Sequence, residues 1–316
     1  MIEAIMLWNE PNNVSHWDRE CDPEWTTFAE MCRLAVREIR SVAPGTQLVL
    51  GGISPIDPSF LRLLSRHGLL AELDVIAVHG FPYDWNLWHA EEWPWKIEAL
   101  EREFGKPVWV TETGVSSWAS ETNMAWATAR LARILRGCSE RIHWYSLFDL
   151  ASNRVATTRH GPAEGSSYWR HFHFGLLRED GTPKPALHAF DSSFGICQWF
   201  QFQDQDVLDR AVEWLQRLGV SHLRTGLSWA EWHMTGSDDW FDRIVEATAP
   251  FHTTLTLCFT PPSEGVRPHH TSPPRDVGAF ARFAKWVAER YLAGAGAEGR
   301  QLPHPSGAAR SQTHSS

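Results

Sequence analysis

The sequence predicts an α/β protein built as a single (β/α)8 barrel, and three observations predict it. Short apolar runs rich in β-branched residues recur along the chain, an amphipathic helical pattern follows each of them, and there are eight such units in 316 residues. Strands that are apolar on both faces belong to a parallel sheet covered by helices, and eight strand-plus-helix units over about 290 residues are enough to close a barrel. A doubly wound open sheet is the alternative. No G-x-G-x-x-G follows any strand, so nothing supports the dinucleotide crevice such a sheet would carry.

The units run in order. "IEAIMLW" opens the chain and is followed by a helical pattern over 24–42; "QLVLGGIS" precedes one over 57–71, "LDVIAVHG" one over 91–104, and "PVWVTETG" one over 120–136. The fifth strand, "RIHWYSLF", leads into a long loop and a short helix near 184–190. "FGICQWF" then precedes a helix over 204–218, "VSHLRTGLSW" one over 238–249, and "HTTLTLCFT" one over 276–291. Residues 1–291 therefore form the barrel. Residues 292–316, rich in Gly, Ala, Ser and Pro and without apolar periodicity, read as a disordered tail.

Composition excludes several function classes. The formal charge of −9, from 29 basic and 38 acidic residues, leaves no basic face for phosphates, so no nucleic-acid partner is expected. The five cysteines are scattered and never paired as C-x-x-C, which points to reduced thiols and neither a disulfide framework nor a zinc site. No leader opens the chain and no run approaches the roughly 20 apolar residues of a membrane span, so the expectation is a cytoplasmic protein with no membrane partner. Trp is the unusual figure, with 18 residues, many beside turn signals as in "YDWNLW", "EEWPWK" and "SSWASE". Indole faces stack on sugar rings while the N–H meets a hydroxyl, so a carbohydrate is the expected substrate, and "YDWNLW" and "EEWPWK", in the loop after the third strand, are candidate subsite walls.

Barrels of this kind place chemistry at the carboxyl ends of their strands. Polar residues there are Glu10 after "LW", His79 after "IAV", Glu112 after "WVT", Trp144 and Tyr145 in "HWYS", and Arg224 after "SHL". Two carboxylates facing one mouth are what glycoside hydrolysis needs, one protonated to donate to the leaving oxygen and one ionised to attack the anomeric carbon. The histidines of "RPHHTSPP" (His269, His270) and "WRHFHFG" (His171, His173) lack both the H-E-x-x-H spacing and an acidic partner, so neither a metal nor another cofactor is expected.

"LWNEPNN" resembles the acid/base strand of the clan A retaining glycosidases, and "VWVTETG" is similar to their nucleophile strand; the nearest resemblance is to the bacterial β-xylosidase-like enzymes of glycoside hydrolase family 39. The resemblance implies Glu10 as general acid/base, Asn9 as the partner of the sugar 2-hydroxyl, and Glu112 as nucleophile. By the same resemblance Arg224 holds the nucleophile ionised, His79 is the polar residue ending the family's sixth strand, and Trp144 is the floor of the sugar site. The order differs from the clan's, which carries these carboxylates on strands four and seven. Here 1–190 resembles family strands four to eight and 194–291 strands one to three, so the chain reads as a circular permutation or a rearranged gene. A ring of strands tolerates such a cut because each strand keeps its neighbours, although strand one, which carries Glu10, now opens the chain, where fraying is common. The alternatives to a retaining, β-xylosidase-like hydrolase are a non-catalytic carbohydrate-binding barrel and an inactive rearranged glycosidase.

Overall fold

The computed structural model describes residues 1–84 and 89–293. Eight parallel strands, β1 (Ile2–Leu7), β2 (Gln47–Leu50), β3 (Ile76–Gly80), β4 (Val108–Thr113), β5 (Ile142–Tyr145), β6 (Gly195–Cys197), β7 (His222–Ser228) and β8 (His252–Cys258), lie in the order β2-β1-β8-β7-β6-β5-β4-β3. The first strand is laddered on both sides: Ile5 pairs with Leu48 of β2 and with Leu255 of β8. Between β2 and β3 the ring is nearly closed by single hydrogen bonds, with Leu50 N–H donating to Val75 O at 3.0 Å, Ile53 N–H to Ala77 O at 3.0 Å and His79 N–H to Ile53 O at 2.9 Å. All eight expected strands are present, and β1 is not a loose end.

Strand alternation makes two cores. Ala4, Met6, Val49, Val75, Ala77 and Trp109 fill the barrel interior. Their neighbours Ile5, Leu7, Leu48, Leu50, Ile76, Val78, Val108 and Val110 face the helices. The helices are α1 (Thr26–Val42), α2 (Pro58–Arg66), α3 (Leu69–Glu72), α4 (Trp93–Phe104), α5 (Glu121–Leu135), α6 (Ser166–Trp169), α7 (Gln205–Arg217), α8 (Trp229–Trp232), α9 (Ser237–Ala247) and α10 (Val277–Tyr291). None of the described helices is long and apolar enough to cross a membrane. Between β5 and β6 no full helix forms, and a 3-10 turn at Pro185–Ala189 covers the sheet. There Lys184, buried, donates to Asp149 Oδ1 at 2.6 Å and ties the long loop down.

α1 shows how sequence fixes an element. Phe28, Met31, Cys32, Ala35 and Ile39 recur at helical spacing and are buried, at about 1.5–3 kcal/mol for each large apolar side chain. Buried Asp22 starts the helix, accepting the N–H of Thr27 at 3.1 Å and of Phe28 at 3.0 Å. α1 packs on α10, as the adjacency of β1 and β8 requires, and Lys285 Nζ meets Glu38 Oε2 at 2.8 Å across them. The barrel continues two residues past its expected end: Leu292 is buried and its N–H donates to Ala288 O at 2.9 Å. The rest of the expected tail, 294–316, lies outside the described residues.

His143 has consequences for stability. It is fully buried on the inner face of β5, and neither ring nitrogen has a hydrogen-bond partner among the described residues. Burial, reinforced by nearby Arg224, pushes the imidazole down to about 3 from the ordinary 6.5. Neutral His143 therefore contributes its full share of stability above pH 6.5, and that share is lost as pH falls towards 3, because only the unfolded chain takes up the proton readily. The loss expected from this group by pH 4 is of the order of 3 kcal/mol. Urea titrations at pH 7 and pH 4 should show a smaller pH effect in His143→Leu than in the wild type; equal slopes would refute the assignment.

Candidate active site

The carboxyl ends of the strands form a mouth whose loops are tied together by Asp84. Its Oδ2 accepts the N–H of Ser116 at 2.8 Å, and Arg170 donates to its backbone oxygen at 2.8 Å. Burial pushes the Asp84 carboxyl up to about 6, against the opposing effects of Ser116 and Arg170.

The first strand delivers its polar tip through backbone strain. Trp8 (φ 71°) and Glu10 (φ 43°) both lie in the left-handed region, which costs non-glycine residues roughly 1–3 kcal/mol each. Trp8 is anchored behind the turn by its ring edge against Trp17, 5.1 Å between centroids, and by Nε1 donating to His16 O at 3.0 Å. The sharp reversal leaves Trp8 in the core and turns Glu10 into the mouth, buried but within reach of three side chains. Glu10 Oε1 meets His79 Nδ1 at 2.8 Å, Oε2 accepts from Asn13 Nδ2 at 2.7 Å, and His16 Nδ1 lies 3.4 Å from Oε2.

His79 sits between the two carboxylates. Its Nδ1 is 3.7 Å from Glu112 Oε2, while Nε2 meets Thr111 Oγ1 at 2.9 Å. The ring is packed so closely on Gly52 that a Cβ there would fall 2.0 Å from Nε2. Burial pushes its pKa down to about 3, so near neutral pH the imidazole is uncharged and carries one proton. With Glu10 Oε1 as its acceptor, that proton is on Nδ1, and Nε2 accepts the Thr111 hydroxyl.

Glu112 reaches the mouth through an irregularity. Val108 and Val110 face the helices and Trp109 faces inward, so a regular strand would turn residue 112 outward. The register instead slips between Val78 and His79, Val110 pairing with the former and Glu112 with the latter, so Thr111 is an extra residue. The bulge resets the alternation and brings Glu112 inside. There Arg224 Nη1 donates to its Oε1 in a short contact, and Nη2 donates to Asn9 Oδ1 at 2.7 Å. Cys197 Sγ at 3.1 Å and Met6 Sδ at 3.3 Å complete the guanidinium's surroundings. Burial pushes the Cys197 thiol up to about 12, so it is a neutral neighbour. Asn9 accepts through Oδ1, which leaves its NH2 group unengaged by Arg224.

Five of the six expected site residues thus converge: Asn9, Glu10, His79, Glu112 and Arg224. Trp144 does not. It is fully buried, shares its face of β5 with Ile142, and packs in the core beneath the helices. Its neighbour Tyr145 takes the inward place, paired with Cys197, its ring 5.5 Å from Phe174 and its hydroxyl in the field of Glu112 and Glu10. Strand parity was the signal for it. Of the expected aromatic walls, Trp93 is likewise buried, in the first turn of α4; Trp118, in "SSWASE" after β4, is exposed beside His173. Trp85 and Trp88 lie outside the described residues. Asn13 and His16 were not singled out by the sequence, because only the turn after Glu10 folds them back onto it.

One oxygen each of Glu10 and Glu112 and a ring nitrogen of His79 lie within 4.8 Å of one another, the sole such cluster of potential metal ligands among the described residues. A cation there would share Glu112 with the Arg224 guanidinium, so the donor set suits proton transfer better than metal binding. The rings of His269 and His270 lie against each other, tilted by 33° with centroids 4.3 Å apart, and His269 Nδ1 meets Thr271 Oγ1 at 2.8 Å.

Residues 1–162, just over half the chain, match the family described as glycosyl hydrolase catalytic core, and the chain belongs to that family. No curated protein matches it. Among solved structures, the chain is similar to a GH128 subgroup I endo-β-1,3-glucanase from Amycolatopsis mediterranei in complex with laminaritriose and laminaribiose, at 18% identity and a TM-score of 0.32 over 46% of this chain and 57% of that one. A GH128 subgroup II endo-β-1,3-glucanase from Sorangium cellulosum matches at 18% identity and a TM-score of 0.39, over 59% and 68% of the two chains. A truncated 3-deoxy-D-arabino-heptulosonate 7-phosphate synthase from Thermotoga maritima matches at 13% identity and a TM-score of 0.35, over 93% and 87%. The match to the first of these spans little more than half that protein's length.

Proposed function

We propose that this member of the glycosyl hydrolase catalytic core family is a retaining O-glycosidase working by double displacement. Glu112 attacks the anomeric carbon while protonated Glu10 gives its proton to the leaving oxygen, so that the C–O bond breaks as a glycosyl ester forms. Ionised Glu10 then takes a proton from water, which attacks the same carbon from the other face and expels Glu112. The observation that carries this reading is the approach of the two carboxylates, oxygens within 4.8 Å, with a fixed cation on Glu112 alone. So close an approach of one oxygen from each favours the shorter carboxyl separation of retaining enzymes, roughly 5–5.5 Å, over the roughly 6.5–9.5 Å at which an inverting pair holds its water.

The clan's strand order is recovered when β6, β7 and β8 are taken as its first three strands, which puts Glu10 on the fourth and Glu112 on the seventh. β-Xylosides follow from the motif resemblance, and β-1,3-linked glucose oligomers belong in the same substrate panel. Hydrolysis followed by proton NMR should release the β-anomer first. First appearance of the α-anomer would overturn retention, and a panel left uncleaved by folded protein would overturn the hydrolase reading.

A further inference from the structure

As general acid Glu10 carries its proton on one of two oxygens, and its surroundings distinguish them. Oε1 points at His79, which is wholly buried; Oε2 points at Asn13 and at His16, whose side chain is 12% exposed. Asn13 presents an NH2 group, which donates only. When Glu10 is protonated on Oε2, its hydroxyl therefore needs another acceptor on that side. His16 Nδ1 is 3.4 Å away, buried, and without a hydrogen bond among the described residues. The backbone of His16 is held on both sides, its N–H donating to Asn13 O at 2.9 Å and Trp8 Nε1 donating to its carbonyl oxygen at 3.0 Å.

On the glycosidase reading above, we infer that His16 is a positioning residue whose Nδ1 lone pair accepts the hydroxyl hydrogen bond of protonated Glu10 in the substrate-free site, keeping the proton on Oε2. A lone pair is needed for this, so the ring has to be neutral. Burial lowers the pKa of His16, and nearby His79, His270 and Arg224 lower it further against the opposing charge of Glu10. His171 also faces it from the loop after β5. His16 neither gains nor loses a proton in turnover. The Glu10 O–H turns from Nδ1 to the leaving oxygen and breaks there as the C–O bond breaks, and the proton that Glu10 later takes from water returns to the same acceptor. The sequence held no sign of this, since His16 lies six residues beyond Glu10 in a loop and comes back to it only through the left-handed turn.

The test uses His16→Phe, which keeps a planar ring and removes the acceptor, and His16→Asn, whose amide oxygen can stand where Nδ1 stood. In His16→Phe, kcat/KM for a glycoside with a sugar leaving group should fall by about tenfold or more, while a dinitrophenyl glycoside, whose leaving group needs no proton, loses far less. The alkaline limb of the pH profile for the sugar substrate should move to lower pH, and His16→Asn should restore most of both. Equal losses on the two substrates, an alkaline limb that stays in place, or no recovery in a folded His16→Asn would each overturn the role given to His16. Failure of the underlying reading looks different: wild-type protein would cleave neither substrate, or Glu10→Ala would cleave both as well as wild type.

Discussion

Arg224→Ala should reduce kcat/KM by roughly a thousandfold, the scale set by removing a fixed electrostatic partner from a water-poor site. The guanidinium is 4% exposed and divides its donors between Glu112 and Asn9, with two sulfur atoms filling the remaining space. Deleting it withdraws the cation paired with Glu112 and frees the Asn9 side chain that it holds, the two residues to which the proposed mechanism gives the attack and the sugar contact. Arg224→Lys should recover little, because an ammonium supplies one point of charge where the fork reaches two acceptors on two strands. Arg136→Ala provides the control. Its pair with Asp191 is on the surface, the arginine side chain 69% exposed, and such pairs contribute about 0–1 kcal/mol. Activity within a few-fold of wild type in Arg224→Ala would assign this arginine a purely structural task, and full recovery by lysine would show that charge without geometry suffices.

The eight strands were legible because a sheet covered on both faces leaves continuous apolar runs, and the seven full helical layers because each buries a stripe, as Phe28, Met31, Cys32 and Ile39 do in α1. The convergence of Glu10 and Glu112 was legible as position at strand ends. How they turn inward was not. Parity along "VWVTET" puts residue 112 on the helix side, and only the extra residue at Thr111 reverses it, a register event set by β3 as much as by β4. Parity was informative at β5, where residue type outweighed it: Trp144 shares the outward face with Ile142, and Tyr145 the inward one with His143. The surroundings of Glu10 were invisible because they depend on left-handed dihedrals at Trp8 and Glu10, residues with no intrinsic preference for them.

On the proposed double displacement, Glu112→Ala should abolish turnover of every glycoside, natural or activated, because the covalent step would have no substitute for its nucleophile. Glu10→Ala should behave differently, since the acid matters only for a leaving group that needs a proton. With a dinitrophenyl glycoside it should still form the glycosyl ester and then stall, because nothing activates water. The truncated side chain leaves a space bordered by His79 Nδ1 and Asn13 Nδ2, formerly 2.8 Å and 2.7 Å from the carboxylate oxygens, and these donors now face no anion. Azide fits both the space and the charge. Added azide should therefore restart turnover and yield a β-glycosyl azide, and the alkaline limb of the wild-type pH profile should be absent in Glu10→Ala, since that limb reports the protonated acid. A double variant that also carries Asn13→Ala should be rescued less efficiently at the same azide concentration, which ties the rescue to the vacated carboxylate site. If azide instead rescued Glu112→Ala with an inverted product while Glu10→Ala responded to nothing, the two roles would be exchanged; if neither variant changed hydrolysis, the two glutamates would not be the catalytic pair.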